Sequence, residues 1–166
     1  MASVTSCESD VTPSTQRTAK GGWVSTRSLP KGPGGRALCR WCAIEVPRGR
    51  RTFCSPDCVH EWKLRTDPAY LREQVFARDR GVCAGCGADT EALRKHFRKL
   101  DYGARRQFLK DWKLKERWRR SLWDADHIIA VAEGGGECDL ANMRTLCLKC
   151  HRAATAELRQ RLTRKA

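Results

Sequence analysis

Aliphatic core formers are scarce in this chain: leucine, isoleucine, valine and phenylalanine together make up less than a fifth of its 166 residues. No apolar run approaches the roughly 18 residues of a membrane span, so no membrane partner is expected. Met1 to Lys20 is rich in serine and threonine and lacks the apolar stretch of a signal peptide. Secretion is therefore not signalled, and an intracellular protein of cytoplasm, nucleoid or nucleus is expected. Acidic residues are also few, 19 against 33 lysines and arginines, for a formal net charge of +14. Thin aliphatic content with high net charge is the composition of disordered chains. Ten cysteines and six tryptophans argue otherwise, because cysteine clusters can staple a chain whose apolar core is too small. The basic excess favours an anionic partner, nucleic acid ahead of a membrane surface.

The charge is uneven. Residues 94–120 carry twelve bases and three acids, whereas residues 121–151 carry two bases and five acids. A basic block and a basic tail thus bracket an acidic segment. Residues 1–36 read as a disordered basic tail and linker ending in Lys31-Gly32-Pro33-Gly34-Gly35, whose glycines lack the spacing of a phosphate loop. A helix is predicted from Asp67-Pro68, with Asp67 as N-cap, ending near Arg80-Gly81. A second is predicted from Asp89 or Thr90 to a stop at Gly103, burying Leu93, Phe97 and Leu100, and a third from about Ala104. Leu122 to His127 and Met143 to Leu146 read as short strands, and Leu148 onward as a helix. The class is α+β with few, short strands.

Eight cysteines form two sets. Cys39, Cys42, Cys54 and Cys58 define a small zinc module over 37–66, because close pairs can present thiolates to one tetrahedral ion. In a reducing compartment zinc is favoured over disulfides. His60 is a substitute ligand at most, and is read as a surface or packing residue. Cys83, Cys86, Cys147 and Cys150 form the second set, whose sixty-residue gap requires it to clamp an insertion rather than a loop. Cys7, Cys138 and His96 receive no metal or catalytic role.

Inside the clamp stand Asp126-His127, a Gly134-Gly135-Gly136 turn, Asn142 and Cys150-His151. Neighbours on a strand project in different directions, so one of Asp126 and His127 can hold a metal while the other faces substrate. These motifs, with Trp123-Asp124-Ala125 before them and Leu140-Ala141-Asn142 after, resemble the zinc-braced branch of the HNH, or ββα-metal, endonuclease family. The resemblance covers about Pro68 to Thr155. Phe53-Cys54-Ser55 and the tryptophan-rich basic insertion are most similar to the nuclease regions at the C-terminal end of zinc-finger, Ran-binding-domain annealing helicases, which act on fork-like DNA.

The resemblance implies a small treble-clef-like fold over 67–166 with a basic helical insertion at 89–121, and metal-dependent hydrolysis of DNA phosphodiesters. It implies His127 as general base, oriented by Asn142 through its carbonyl and ring, and Asp126 and His151 as ligands of one catalytic divalent ion. Thr155 stands where some relatives have a third metal-binding histidine, and two protein ligands suit Mg²⁺ or Mn²⁺. With two structural Zn²⁺, that gives three ions and no small-molecule cofactor. Ala154 stands where zinc-braced relatives often have a lysine, so Arg152 is the candidate phosphate contact. Arg105, Arg106, Lys110, Lys113, Lys115, Arg117, Arg119 and Arg120 are the candidate DNA-binding surface. Trp112 and Trp123 are read as core residues, and Trp41 and Trp62 as cover for the first zinc module. Two alternatives stand beside this reading: a zinc-dependent nucleic-acid-binding protein without catalysis, and a restriction or mobile-element nuclease reading a sequence or modified base.

Overall fold

The computed structural model describes residues 24–114, 121–136 and 139–165. Cys7, Trp23, Lys115, Arg117, Trp118, Arg119, Arg120 and Cys138, and with them part of the expected basic surface, lie outside the described residues. No helix among the described residues is long and apolar enough to cross a membrane. The chain divides into two compact units, 1–66 and 67–166.

In the first unit, bridges Lys31↔Ala37 and Leu38↔Glu45 fold the backbone into two short reversals. α1 (Pro56–Thr66) follows, its first turn fixed by Ser55 Oγ, which accepts from the Cys58 N–H at 3.1 Å. Residues 24–36 correct the expectation of a disordered linker through residue 36. Leu29 is buried, and the Glu45 carboxylate accepts from the amides of Gly34 (3.1 Å) and Arg36 (2.7 Å). Gly34 serves close approach: a Cβ there would meet Glu45 Oε2 at 2.9 Å.

The second unit begins with α2 (Pro68–Asp79), capped by Asp67, whose carboxylate accepts from the Ala69 and Tyr70 amides. Arg80 ends it in the left-handed region at φ 53°. α3 (Thr90–Lys99) is capped by Asp89 and buries Phe97. α4 (Tyr102–Asp111) starts earlier than expected, because Asp101 caps it through the Ala104 amide. Gly103 therefore sits in its first turn rather than stopping α3, whose C-cap is Leu100. β1 (Trp123–His127) and β2 (Met143–Cys147) form an antiparallel pair with Asp126 opposite Arg144 and His127 opposite Met143. α5 (Leu148–Lys165) completes the unit, giving a small α+β fold with a two-stranded sheet. Its core gathers Trp112, Leu122, Leu146 and Leu148 around Cys83 and Cys147, with Phe108 and Leu93 packed against it. Trp112 is a core residue here, and buried Trp123 stacks on Phe76 at 5.7 Å.

Candidate active site

Two tetracysteine groups are assembled. Cys39, Cys42, Cys54 and Cys58 bring their sulfurs together, as do Cys83, Cys86, Cys147 and Cys150, and each group could hold a metal ion. Sulfur separations are 3.4 Å for Cys42–Cys54, 3.3 Å for Cys54–Cys58, 3.7 Å for Cys58–Cys42 and 3.9 Å for Cys86–Cys147. Four thiolates about 2.3 Å from one zinc ion lie about 3.8 Å apart, whereas a disulfide needs about 2.05 Å, so the donor sets fit zinc. His60 is not part of the first group.

Burial alone pushes the Cys83 thiol up, but the backbone amides of Cys147, Cys86 and Gly85 outweigh it and bring its pKa down to about 7. Cys39 behaves alike: burial raises it, and the amides of Cys42, Cys54 and Trp41 hold it at about 7. Burial, and then the neighbouring sulfurs, push Cys54 and Cys150 strongly up. Each group thus has one sulfur prepared as a thiolate, Cys39 or Cys83, and one that ionises readily only against a cation, Cys54 or Cys150.

The hairpin and α5 bring the other candidates together. Alternation along β1 puts Asp124 and Asp126 on one face, and that face meets the first turn of α5. His151 Nε2 lies 3.6 Å from Asp126 Oδ1, and His151 Nδ1 lies 3.5 Å from Asp124 Oδ2. The second oxygen of Asp126 is occupied by Arg144, at 3.1 Å from Nη2 and 3.3 Å from Nε. Asp124 is approached in turn by Arg72 Nη1 at 3.3 Å, while Arg72 Nη2 donates to Ser121 Oγ at 2.6 Å. The Arg72 guanidinium lies over the Trp123 ring at 3.7 Å.

His127 lines an open cleft of about 310 Å³ together with Asp126, Arg144, Ala154, Thr155 and Arg161. Its Nε2 is buried without a hydrogen-bond partner among the described residues, and no ion pair there involves it. The Asn142 side chain works two residues further along the chain than expected. Its Oδ1 accepts from the Ile129 N–H (2.9 Å), and its Nδ2 donates to the carbonyls of Ile129 (3.0 Å) and Gly135 (2.5 Å). It therefore fixes the loop leaving His127 instead of grasping the imidazole or its own carbonyl. Gly135 permits this: a Cβ there would stand 1.8 Å from the Ile129 carbonyl oxygen.

The turn carrying Asn142 is anchored from α2. Arg78 donates to the carbonyls of Leu140 (2.7 Å) and Met143 (2.6 Å). The Asp79 carboxylate accepts from the Thr145 amide at 3.0 Å, and the adjacent Arg78 guanidinium, more than that amide, holds the Asp79 carboxyl below its ordinary range despite burial.

Several expected contacts have other uses. Arg152 donates to the Trp112 carbonyl and so fastens the insertion to α5. Thr155, in place of a third histidine, donates back to the His151 carbonyl at 2.8 Å. Arg105 donates to the Arg98 carbonyl at 2.6 Å, while Arg106, Lys110 and Lys113 are exposed. Sequence reasoning does not reach Asp124, Arg144 or Arg72. Asp124 could be found by stepping back two residues from Asp126, but Arg144 needs the strand register, and Arg72 is 52 residues from its partner.

Residues 112–157 match the model of the HNH endonuclease family. The chain is 36% identical over 144 residues to the DNA annealing helicase and endonuclease ZRANB3 of Mus musculus, covering 74% of this chain and 14% of that protein. It is 36% identical over 117 residues to the Bos taurus protein of that name, covering 63% and 11%. The Homo sapiens protein is 35% identical over 116 residues, again covering 63% and 11%. The chain therefore spans only a small part of the curated relatives it matches. No solved structure matches it.

Proposed function

The chain carries an HNH endonuclease domain, and we propose that this domain is a metal-dependent endonuclease hydrolysing DNA phosphodiesters, with fork-like or branched DNA as its substrate. The observation that carries this reading is the convergence of His151 Nε2 on Asp126 Oδ1 at 3.6 Å, beside a cleft that His127 also lines.

Asp126 and His151 would hold the catalytic cation. Two neighbouring donors each about 2.1 Å from one octahedral ion lie about 3 Å apart, so a small closing movement from 3.6 Å lets the pair share the ion. Arg144 leaves Oδ1 of Asp126 open, and Thr155 adds no third nitrogen, so water and phosphate would complete the shell, as suits Mg²⁺ or Mn²⁺. Bound there, a divalent cation supplies charge stabilisation for the scissile phosphate and the leaving 3′-oxygen.

The two histidines differ in what surrounds them. His151 has carboxylates at both ring nitrogens, whereas His127 has none among the described residues. That difference supports His151 as a ligand of the cation and His127 as the acceptor of the attacking water's proton. Asn142 sets His127 by fixing the backbone of the loop that follows it. The two tetracysteine groups would each hold a structural Zn²⁺, bracing the hairpin and the N-terminal module. The relatives are named DNA annealing helicase and endonuclease, which supports DNA as the substrate.

The test is a substrate panel of plasmid, linear duplex, single strand and splayed arm, incubated with Mg²⁺ or Mn²⁺. Cleavage that requires the cation and is fastest on the splayed arm is expected. Binding without cleavage on every substrate would leave a zinc-stabilised DNA-binding protein, and preference for one duplex sequence would favour a restriction-type nuclease.

A further inference from the structure

The nuclease chemistry leaves one pocket of the N-terminal unit without a role. An open cleft of about 620 Å³ is lined by Arg27, Arg40, Arg51, Phe53 and Trp62, with Ser25, Thr26 and Thr52 beside them and no carboxylate. The Arg40 guanidinium lies 4.3 Å over the Trp62 ring and 5.6 Å from the Phe53 centroid, and those two rings pack at 5.5 Å. Arg27, Arg40 and Arg51 have no carboxylate partner among the described residues, and two acids of the same unit are engaged elsewhere. Glu45 is held by the Gly34 and Arg36 amides and Glu61 by Arg65 at 2.6 Å. Burial alone holds Arg40 below its ordinary pKa, without an opposing anion to restore it.

Three arginines without a carboxylate partner around one cleft favour an anionic ligand. The stacked arginine and aromatic rings add a requirement that charge alone does not explain. A guanidinium plane and an aromatic face are the surfaces on which unpaired bases stack, while arginines and hydroxyls take the phosphates between them. An acidic peptide would answer the charge and leave the rings unused. We propose that this pocket binds unpaired, single-stranded nucleic acid, with phosphate at Arg27 and Arg51 and a base on the Arg40–Trp62–Phe53 platform. The zinc module is then a second contact with substrate, selecting DNA that carries an unpaired strand. That identification of the ligand as substrate rests on the nuclease reading. Binding measured without Mg²⁺ or Mn²⁺ can fail while cleavage stands, and stand while cleavage fails.

The experiment is fluorescence anisotropy of the full chain with a labelled oligothymidylate of about ten nucleotides, titrated between about 50 and 200 mM salt. The variants are Arg40→Gln with Arg51→Gln, and Arg27→Gln alone, each checked for wild-type zinc content. The double variant is expected to weaken single-strand binding about tenfold, through loss of the stacking plane of Arg40 and the phosphate contact of Arg51, and to lower the salt slope by about 0.7, the share of one phosphate left without its cation. A blunt duplex of equal length should be weakened far less. Unchanged affinity and slope in a zinc-replete double variant would overturn the proposal, as would equal weakening for duplex and single strand. Displacement of the oligonucleotide by oligoglutamate at equal charge concentration would overturn it in favour of a protein partner. If the double variant loses zinc, Arg27→Gln decides: a slope lower by about 0.7 supports the pocket, and an unchanged slope overturns it.

Discussion

His151 Nδ1 lies 3.5 Å from the carboxylate of Asp124, which stands two residues before Asp126 on the same face of β1. A carboxylate at one ring nitrogen fixes the tautomer and leaves the other nitrogen to a metal, and losing such a partner costs about 10- to 100-fold in metal affinity. Asp124→Asn is therefore expected to weaken Mn²⁺ binding by about that factor in calorimetry, with structural zinc retained. Unchanged Mn²⁺ affinity would remove Asp124 from the metal site.

Gly135 is a second place where geometry outweighs side-chain chemistry. Any Cβ there collides with the Ile129 backbone that Asn142 holds. Gly135→Ala is expected to displace the loop after His127 and reduce cleavage at least as much as Asn142→Ala. Zinc content and helical circular dichroism should stay normal. Full activity in Gly135→Ala would mean that the loop is not what positions His127.

Metal analysis should find about two zinc ions per chain. Because Cys54 and Cys150 are pushed well above the ordinary thiol range, zinc binding must displace protons. The bound state is therefore favoured as pH rises and lost as pH falls. Titration with Zn²⁺ in buffers of differing ionisation enthalpy should show proton release, with affinity climbing as pH rises through about 7, where Cys39 and Cys83 ionise. Affinity independent of pH would contradict the thiolate assignment.

The basic insertion offers exposed Arg106, Lys110 and Lys113 on or just beyond α4. Replacing all three with glutamine is expected to weaken duplex binding and lower the salt slope by up to about 0.9 for each phosphate these side chains neutralise. An unchanged slope would mean that this face does not meet phosphate.

The features legible in the sequence are mostly local. Asp67 and Asp89 cap their helices through amides two or three residues away, and the cysteine pairs carry their own spacing. The hairpin, the α+β class and both tetracysteine groups can be read for that reason. The features that escape it depend on partners far along the chain. Glu45 orders Gly34 from eleven residues away, Arg152 meets Trp112 across forty, and Arg144 faces Asp126 only because of strand register. Gly103 misleads because its propensity to end a helix is outweighed by Asp101, whose cap starts the next one. Asn142 stands out as a candidate, but its hydrogen bonds to Ile129 and Gly135 depend on a turn whose shape spacing does not reveal.

The measurement closest to the central claim compares wild type and His127→Ala for Mg²⁺-dependent cleavage, with DNA affinity and zinc content measured on the same preparations. The variant is expected to bind DNA and hold zinc as wild type does but to lose cleavage by at least about a hundredfold, the scale of a removed general base. A His127→Ala variant that still cuts at the wild-type rate would contradict that claim.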